Sequence, residues 1–410
     1  MSTADPVRSV TVVGGGLAGF TAARELRSRG FEGTLRIVDP QGLPYDRPPL
    51  SKSYLSGAAE AASLHLAPPE WYADNDVEVI EDSAAKIAVG SGSVMLASGS
   101  GLETDAVVLA TGGRARRLPV PGGDLPGVVS LRDLADADTL REYLRPGVRL
   151  LIVGAGLIGA EVASTATKAG AQVTLVDPVP IPLVPAVGEE LAEKLHGMHA
   201  AHGVETLRGV PQRIVADAGA LLVDVERQGR LERVAADLVL TAIGIVPDTS
   251  LAGSAGLAVD AGIEIDAASR TSNPGVWAAG DGVRIRSADG TLRRCSEHWE
   301  AAVLSGTAAA CSILGQETPE RPPSWFWTDR YGVHVEAVGS MSAPGSTVLR
   351  QSERQLVAFR VDGDGALVGC AAIDGGKTLR AAKRLIVRGA RIGLAELADP
   401  TVDLKKVGGK

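Results

Sequence analysis

Cysteine is scarce in this chain, with only Cys295, Cys311 and Cys370 among 410 residues. The three are far apart, so neither a CxxC pair nor a zinc-type ligand set is present, and no metal site is predicted. Each thiol is therefore expected to be a small buried hydrophobic group. So few thiols favour a reducing compartment, and we expect a cytoplasmic protein.

Positive charge and long apolar runs are also lacking. The chain has 41 Lys and Arg against 49 Asp and Glu, a net charge of −8, which argues against nucleic-acid binding. The longest weakly polar run, 301–314, is shorter than the ~20 residues that span a bilayer, so no membrane segment is expected. The first ten residues have no apolar core, and no secretory signal is expected.

Aromatic residues make up only 3% of the chain, whereas glycine occurs 50 times. This composition fits an α/β protein with many tight turns between strands and helices. The length exceeds what one ordinary hydrophobic core supports, which predicts two or three domains.

Two segments of the chain repeat one pattern. Residues 9–40 read SVTVVGGGLAGFTAARELRSRGFEGTLRIVDP, and residues 149–178 read RLLIVGAGLIGAEVASTATKAGAQVTLVDP. Each predicts an apolar strand, a glycine turn, a helix ended by glycine, and a second strand closing on Asp-Pro, which is a βαβ unit.

Both units carry the dinucleotide-binding fingerprint GxGxxG with a later acid. The first glycine makes the turn, the second admits the pyrophosphate, the third lets helix and strand pack, and the acid binds a ribose. Two empty α/β turns are the alternative, but the repeated context favours two dinucleotide sites. One dinucleotide would then reduce another, usually a diffusing nicotinamide cofactor and a bound FAD. The residues are Gly14, Gly16, Gly19 and Asp39, then Gly154, Gly156, Gly159 and Asp177.

The second acid also indicates which nicotinamide cofactor is used. Asp177 would repel a 2′-phosphate, and the following segment 178–188, PVPIPLVPAVG, contains no Lys or Arg to bind one. The sequence therefore predicts NADH as the hydride donor.

Four further segments resemble the FAD-dependent ferredoxin reductases of the putidaredoxin reductase type. They are PYDRPPLSK at 44–52, ATGGRARRL at 110–118, TAIGIVPD at 241–248 and AAGDGV at 278–283. The resemblance extends to WFWTDRYG at 325–332 and to the closing KTLRAAKRLIVRGAR.

This resemblance implies an α/β fold with two Rossmann-like dinucleotide-binding domains and a C-terminal α+β interface domain. The FAD-binding domain would be discontinuous, 1–115 and 245–320. The NAD-binding domain would span 116–244, and the interface domain 321–410.

The resemblance also implies the sites. The Lys52 ammonium would stabilise reduced flavin, and Glu161, placed in the first turn of its helix, would reach the nicotinamide and pair with Lys52. Trp327 would lie where electrons leave, although core packing must account for at least one of Trp325, Phe326 and Trp327. The remaining FAD contacts would come from Leu17, Ala18, Arg47, Ala84, Ala110, Thr111, Gly112, Arg117, Gly280, Asp281, His298 and Trp299, with His298 as a positioning residue, and the remaining NAD contacts from Leu157, Ile158, Ile243 and Gly244.

Disulfide reductases that share the double-nucleotide fold carry cysteine near the flavin, and the corresponding stretch 41–57 has none. Reduction of disulfides through a protein thiol is therefore excluded.

The segment 377–410 holds nine Lys or Arg against three Asp or Glu. A helix over 377–391 would align five cations on one face, opposite Leu379, Ala382, Leu385 and Ile386. A solvated helix face is the alternative, but a small acidic ferredoxin fits this stripe, and four arginines at 284, 286, 293 and 294 would extend it. The five cations are Lys377, Arg380, Arg384, Arg388 and Arg391.

The predicted activity is that of an NADH-dependent ferredoxin reductase. FAD would take hydride from NADH and pass single electrons to a 2Fe-2S-type ferredoxin that serves a haem-thiolate monooxygenase or a Rieske dioxygenase. A rubredoxin reductase, a flavin NADH oxidase and a redox-sensing interaction protein like apoptosis-inducing factor are the alternatives. A monomer or a weak homodimer is expected.

Overall fold

A computed structural model describes residues 7–88, 92–287, 289–353 and 355–407. The chain forms two compact units. The first contains the chain up to Arg47, Ala61–Arg114 and Ile245–Arg321, and the second contains Pro48–Glu60, Ala115–Gly244 and the chain from Pro322 onward. The expected absence of a secretory signal rests in part on residues 1–6, which lie outside the described residues. Lys410, one of the nine cations counted in the segment 377–410, also lies outside them.

The segment up to residue 114 begins with the first predicted βαβ unit. The strand Ser9–Val13 is the central strand of a parallel sheet and pairs with Thr34–Val38 and with Ala106–Leu109. The fourth to sixth strands of the segment form a separate antiparallel sheet. Short 3₁₀ helices lie at Pro48–Ser51 and Ala61–Leu64. The elements are β1 (Ser9–Val13), α1 (Leu17–Ser28), β2 (Thr34–Val38), α2 (Pro69–Asp74), β3 (Val77–Ile80), β4 (Ala84–Ala88), β5 (Ser93–Leu96), β6 (Gly101–Glu103), β7 (Ala106–Leu109) and β8 (Gly113–Ala115).

The segment 115–244 contains the second βαβ unit. Its parallel sheet has the order β12-β11-β10-β16-β9, and an antiparallel sheet of β13 to β15 follows. The elements are β9 (Val128–Val129), α3 (Leu134–Tyr143), β10 (Arg149–Val153), α4 (Leu157–Lys168), β11 (Gln172–Asp177), α5 (Val184–Val187), α6 (Glu189–Ala201), β12 (Glu205–Arg208), β13 (Val210–Asp217), β14 (Ala220–Arg227), β15 (Arg230–Ala236) and β16 (Leu238–Thr241).

The segment 245–321 completes the first unit. Its strand Val276–Ala278, β19, pairs with β7 and so joins the first sheet. The order of that sheet is β19-β7-β1-β2-β3, and all its pairs are parallel. The elements are β17 (Ile245–Pro247), α7 (Ser250–Ser254), β18 (Ile263–Ile265), β19 (Val276–Ala278), β20 (Val283–Arg286), β21 (Leu292–Arg294) and α8 (Trp299–Ile313).

The remaining chain forms an antiparallel sheet covered by helices, as the α+β expectation required. The strand order is β22-β23-β26-β25-β24. Arg350, on β24, is buried and donates hydrogen bonds to the carbonyls of Glu396, Leu397 and Val402, which fixes the last helix. The elements are β22 (Trp325–Arg330), β23 (Val333–Gly339), β24 (Ser346–Gln351), β25 (Leu356–Val361), β26 (Leu367–Ile373), α9 (Gly376–Val387) and α10 (Leu394–Ala398).

The predicted α/β fold class is confirmed, whereas the division into three domains stays a prediction. The basic helix is shorter than predicted, because α9 ends at Val387 and Arg388 is its C-cap. Gly389 has a left-handed φ of 60°, a conformation that stops a helix. Arg391 lies beyond this stop, in an isolated bridge with Ala366.

The three cysteines are buried, as expected. Burial raises the pKa of the Cys295 and Cys370 thiols, which keeps them protonated and unreactive at neutral pH. Across the described ranges, no helix combines the length and the apolar composition needed to cross a lipid bilayer.

Helices α1 and α8 pack closely because α8 carries a glycine at the contact. A methyl group added at Gly306 would collide with the carbonyl oxygen of Ala18. Gly197, inside α6, has no described atom within 4 Å of such a methyl apart from its chain neighbours and the backbone of the helix itself. The same substitution should therefore have opposite effects at the two helical glycines.

Gly306→Ala is expected to destabilise the protein by about 1–3 kcal/mol through overpacking. Gly197→Ala should stabilise it by about 0.5–1 kcal/mol, because glycine loses more backbone entropy in a helix. Thermal unfolding of both variants measures the difference. Equal shifts in melting temperature would contradict the proposed close contact between α1 and α8.

Candidate dinucleotide sites and a buried ion pair

The first glycine turn has the geometry that a dinucleotide requires. A side chain at Gly14 would collide with the carbonyl of Ala110, and one at Gly19 would collide with the carbonyl of Gly14. Gly16 differs, because no described atom beyond its two chain neighbours lies within 4 Å of a Cβ placed there. The outer glycines therefore serve chain packing, and the middle one leaves open space at the start of α1, where phosphate oxygens bind.

The second glycine turn repeats this geometry. A side chain at Gly154 would collide with the carbonyl of Ala242, and one at Gly159 with that of Gly154, whereas a Cβ at Gly156 has open space among the described atoms. The helix that follows, α4, begins at Leu157 and exposes Ile158. Both turns thus leave room for a pyrophosphate at a helix N-terminus.

The two predicted ribose-binding acids hold these turns in place. Asp39 accepts a hydrogen bond from the Gly15 amide at 2.6 Å, and Asp177 accepts one from the Ala155 amide at 2.8 Å. The other carboxylate oxygen of each acid accepts the amide two residues later in the chain. Since each carboxylate oxygen has two lone pairs, both acids can still accept hydroxyl hydrogens.

Other residues predicted to bind FAD surround the first turn. Thr111 donates to the Asp248 carbonyl at 2.8 Å, and Gly112 has a φ of +62°. Gly280 has a φ of +84°, and a side chain there would press on Ala18. Asp281 follows the last residue of the strand β19 by three positions, at the carboxyl edge of the parallel sheet, where ligands bind in this fold class.

Two further residues predicted to bind FAD lie at the start of α8. His298 is the N-cap residue of the helix, and burial lowers the pKa of its imidazole, although Asp281 opposes this shift. The Trp299 indole donates to Asp46 at 3.1 Å. The positioning role of His298 stays a prediction.

The predicted FAD residues do not all lie in the first unit. Arg47 and Ala84 do, but Lys52 and Arg117 belong to the second unit, where Arg117 is exposed. The roles of these residues at a flavin stay predictions.

Lys52 and Glu161 form an ion pair in the second unit, as the resemblance implied. The Lys52 ammonium lies 2.7 Å from Glu161 Oε2, and Glu161 is only 4% exposed. The same carboxylate accepts hydrogen bonds of 2.5 Å from the hydroxyl groups of Ser51 and Thr328.

The predicted position of Glu161 in the first helical turn is wrong. Helix α4 starts at Leu157, so Glu161 lies in its second turn, and none of the first-turn residues is acidic. The helix dipole therefore does not explain this acid, because its effect is largest in the first turn. Hydrogen bonds from three side chains explain it instead.

The segment that carries Lys52 is fixed to the second unit at several points. The Thr165 hydroxyl, on α4, donates to the Ser51 carbonyl at 2.8 Å, and the Tyr54 hydroxyl donates to Asp138, on α3, at 2.6 Å. The Arg141 guanidinium lies 4.8 Å from the centre of the Tyr54 ring. The ammonium thus has a defined position.

The structure places a cation near Asp177 that the local sequence pattern does not reveal. Arg208, at the end of β12, is in register with Asp177, and its Nε lies 3.4 Å from the Pro178 carbonyl. Parallel pairing of β11 with β12 brings together residues that are 31 positions apart. At the other side of the turn, Ile243 packs against Gly154, and Gly244 has a φ of +91°.

The three aromatic residues of β22 divide between two faces. Phe326 is buried in a core with residues of α6, so the expected core packing is confirmed for this ring. Trp325 and Trp327 stack on the other face with ring centres 5.1 Å apart. The role of Trp327 in electron exit stays a prediction.

All five cations of the predicted basic stripe are exposed. Leu379, Ala382 and Leu385 are buried in the adjoining core, and Ile386 packs against it. The proposed extension is weaker than expected, because Arg286 pairs with Glu264 and Arg294 pairs with Glu297. Those two arginines carry little free positive charge.

Two family models match the chain. The model described as pyridine nucleotide-disulphide oxidoreductase matches residues 8–306, and the one described as reductase C-terminal matches residues 325–408.

Curated relatives match from end to end. The chain is 35% identical to the benzene 1,2-dioxygenase system ferredoxin–NAD(+) reductase subunit of Pseudomonas putida, over 97% of each chain. It is 33% identical to rhodocoxin reductase of Rhodococcus erythropolis, over 97% of this chain and 93% of that protein.

Solved structures are also similar over nearly the whole chain. The ferredoxin reductase for the CYP199A2 system from Rhodopseudomonas palustris is 30% identical, with a TM-score of 0.92 over 98% of this chain and 100% of that one. The reductase in the covalent putidaredoxin reductase–putidaredoxin complex is 31% identical, with a TM-score of 0.88 over 97% of each chain.

The open space at Gly16 makes a direct test of the first site possible. Its φ of −63° is allowed for any residue, so Gly16→Val should fold normally while its side chain blocks the pyrophosphate. We expect the purified variant to lose its bound flavin, measured by visible absorbance, and to keep its secondary structure.

Gly363→Val is the matched control, because Gly363 is exposed and a Cβ there also has open space among the described atoms. This variant should retain the flavin. A Gly16→Val protein with one flavin per chain would show that the first turn does not hold the pyrophosphate.

Proposed function

The chain belongs to the pyridine nucleotide-disulphide oxidoreductase family, and we propose that it is an NADH-dependent ferredoxin reductase. One observation carries the proposal: two glycine turns with the same open centre occur in one chain. A protein with two dinucleotide sites is suited to move electrons from one dinucleotide to the other.

The first unit is proposed to hold FAD and the second to bind NADH. FAD, when bound, supplies the chemistry that links a two-electron hydride donor to one-electron acceptors. The chain's own contribution is to hold each pyrophosphate at a helix N-terminus and each adenosine ribose at Asp39 or Asp177. Glu161 is proposed to orient the nicotinamide, and Lys52 to supply a fixed positive charge.

The electron acceptor is proposed to be a small acidic iron–sulfur protein. Relatives named as reductases of a dioxygenase system and of rhodocoxin support this class of acceptor. The ferredoxin would serve a Rieske dioxygenase or a haem-thiolate monooxygenase. Three buried thiols favour the cytoplasm as the compartment, and a monomer or weak homodimer would suffice.

Three acceptors separate this function from its alternatives. Steady-state NADH oxidation should be fast with ferredoxin and slow with rubredoxin or with oxygen alone. Faster turnover with rubredoxin would assign a rubredoxin reductase. Fast oxidation with oxygen alone would assign an NADH oxidase, and slow turnover with all three would favour a redox-sensing interaction protein.

The choice of nicotinamide cofactor should depend on Asp177. The wild type should prefer NADH strongly, because this carboxylate repels a 2′-phosphate. Asp177→Ala combined with Pro178→Arg should narrow the preference, with each single variant as a control. The measurement is kcat/KM for NADH and NADPH, and a wild type that is faster with NADPH at equal low concentrations would refute the assignment.

The basic stripe should affect only the reaction with the partner. Arg384→Glu with Arg388→Glu should leave flavin reduction by NADH nearly unchanged, whereas ferredoxin reduction should slow through weaker association. Added salt should slow the wild type more than the variant, since charges are screened over about 8–10 Å at ordinary ionic strength.

A control with the same change in net charge is Lys86→Glu with Arg230→Glu, since both residues are exposed and lie outside the stripe. Stopped-flow rates over a salt series compare the two double variants. If the control slows ferredoxin reduction as much as the stripe variant does, the stripe is an ordinary solvated helix face.

A further inference from the structure

Glu161 contacts a residue that lies far from both glycine turns in the sequence. Thr328, on β22, is fully buried, and its hydroxyl lies 2.5 Å from Glu161 Oε1. This is the only described contact to Oε1, since Ser51 and Lys52 both contact Oε2. Thr328 therefore fixes the position of Oε1, while Ser51 and Lys52 fix that of Oε2.

The hydroxyl group of Thr328 also faces a buried cation. Arg330, two residues along the same strand face, is 3% exposed, and its Nη2 lies 3.4 Å from Thr328 Oγ1. Its Nε has no hydrogen-bond partner among the described residues. Burial lowers the pKa of Arg330, while Glu161 and Tyr331 oppose the shift, and a guanidinium remains charged in proteins.

The directions of these hydrogen bonds follow from the chemistry of the groups. A guanidinium can only donate, and a carboxylate can only accept. The Thr328 hydroxyl has a single hydrogen, so with Arg330 on one side it must donate that hydrogen to Glu161. Arg330 thus orients the hydroxyl, and the hydroxyl orients the carboxylate.

The other groups around Arg330 do not compete for this role. His199, on α6, is 1% exposed, and burial together with Arg330 lowers its pKa to about 3, so its ring is neutral. Its Nδ1 lies 2.7 Å from the Tyr331 hydroxyl. Burial also lowers the pKa of His196, although Asp177 opposes this. Glu161, which also pairs with Lys52, is the carboxylate that interacts electrostatically with Arg330.

We propose that Thr328 and Arg330 are positioning residues that hold the Glu161 carboxylate, and with it the Lys52 ammonium, in the orientation needed for hydride transfer. One lone pair of Glu161 Oε1 remains for a ligand after Thr328 has donated. The carboxamide N–H of a nicotinamide ring has the donor chemistry that this lone pair accepts. The inference rests on the proposed function, because it assigns Glu161 to the nicotinamide.

Thr328→Val tests the proposal, because valine has the shape of threonine and lacks the hydroxyl. A hydrogen bond to a charged group contributes enough that flavin reduction by NADH should slow about tenfold. The Kd for NAD+ should change less than twofold, because the glycine turn and Asp177 hold the adenosine half. Stopped-flow reduction and calorimetric titration with NAD+ measure the two quantities separately.

Two matched variants distinguish positioning from packing. Thr328→Ser restores the hydroxyl and should recover most of the rate. Thr167→Val makes the same change on α4, where the hydroxyl bonds only to Ala163 among the described contacts, and should behave as wild type. A loss in Thr328→Ser as large as in Thr328→Val would overturn the proposal.

A double-mutant cycle with Glu161→Gln tests the route of action. A hydrogen bond to a neutral acceptor is about half as strong as one to a carboxylate, so the tenfold effect of Thr328→Val should fall to about threefold in that background. An unchanged tenfold effect would show that Thr328 does not act through Glu161.

A crystal structure of Thr328→Val supplies a readout that does not depend on catalysis. The Glu161 carboxylate should rotate away from its wild-type position while the fold is kept, and an unmoved carboxylate would refute the positioning role. If wild-type flavin is not reduced by NADH, the proposed function fails, and this structure still decides whether Thr328 positions Glu161.

Discussion

The buried carboxylate of Glu161 is the constraint on which the second unit depends. An ionised carboxylate removed from water costs several kcal/mol unless charges and hydrogen bonds replace its hydration. Its partners come from two distant stretches, Ser51 and Lys52 in one and Thr328 in the other. Together with the hydrogen bonds from Thr165 to Ser51 and from Tyr54 to Asp138, this requirement joins Pro48–Glu60, which interrupts the first unit in sequence, to the second.

The glycine turns obey a different constraint, which is the space between backbone atoms. At Gly14 and Gly154 the carbonyl group of the residue that follows a neighbouring strand leaves no room for a side chain, and at the third glycine of each turn the carbonyl group of the first glycine does the same. The two turns share this geometry because each joins a parallel strand to a helix. Their acids then fix the turns through backbone amides, so the binding shape exists before a ligand arrives.

The sequence predicted the features that arise from local periodicity, and it missed those that depend on strand pairing. Both βαβ units and the exposed basic residues follow from patterns within about 30 residues. The sequence pattern does not reveal Arg208, because this residue lies near Asp177 only through the pairing of β11 with β12. The sequence does not reveal Thr328, because its partner, Glu161, is more than 160 residues away. Arg330 in turn contacts Thr328, and nothing in the tripeptide Thr-Asp-Arg indicates that these side chains are buried. The end of α9 could have been found, since Gly389 marks it.

The basic residues of α9 gain their meaning from the apolar face beneath them. Leu379, Ala382 and Leu385 are almost fully buried, so the helix cannot rotate about its axis without exposing them. Lys377, Arg380 and Arg384 are thereby held outward on one face in an otherwise acidic protein. A fixed pattern of charge creates a directed field, whereas the same charges on a flexible tail would average over many orientations. We therefore expect anchoring by the core to suit this stripe to guiding the proposed acidic partner.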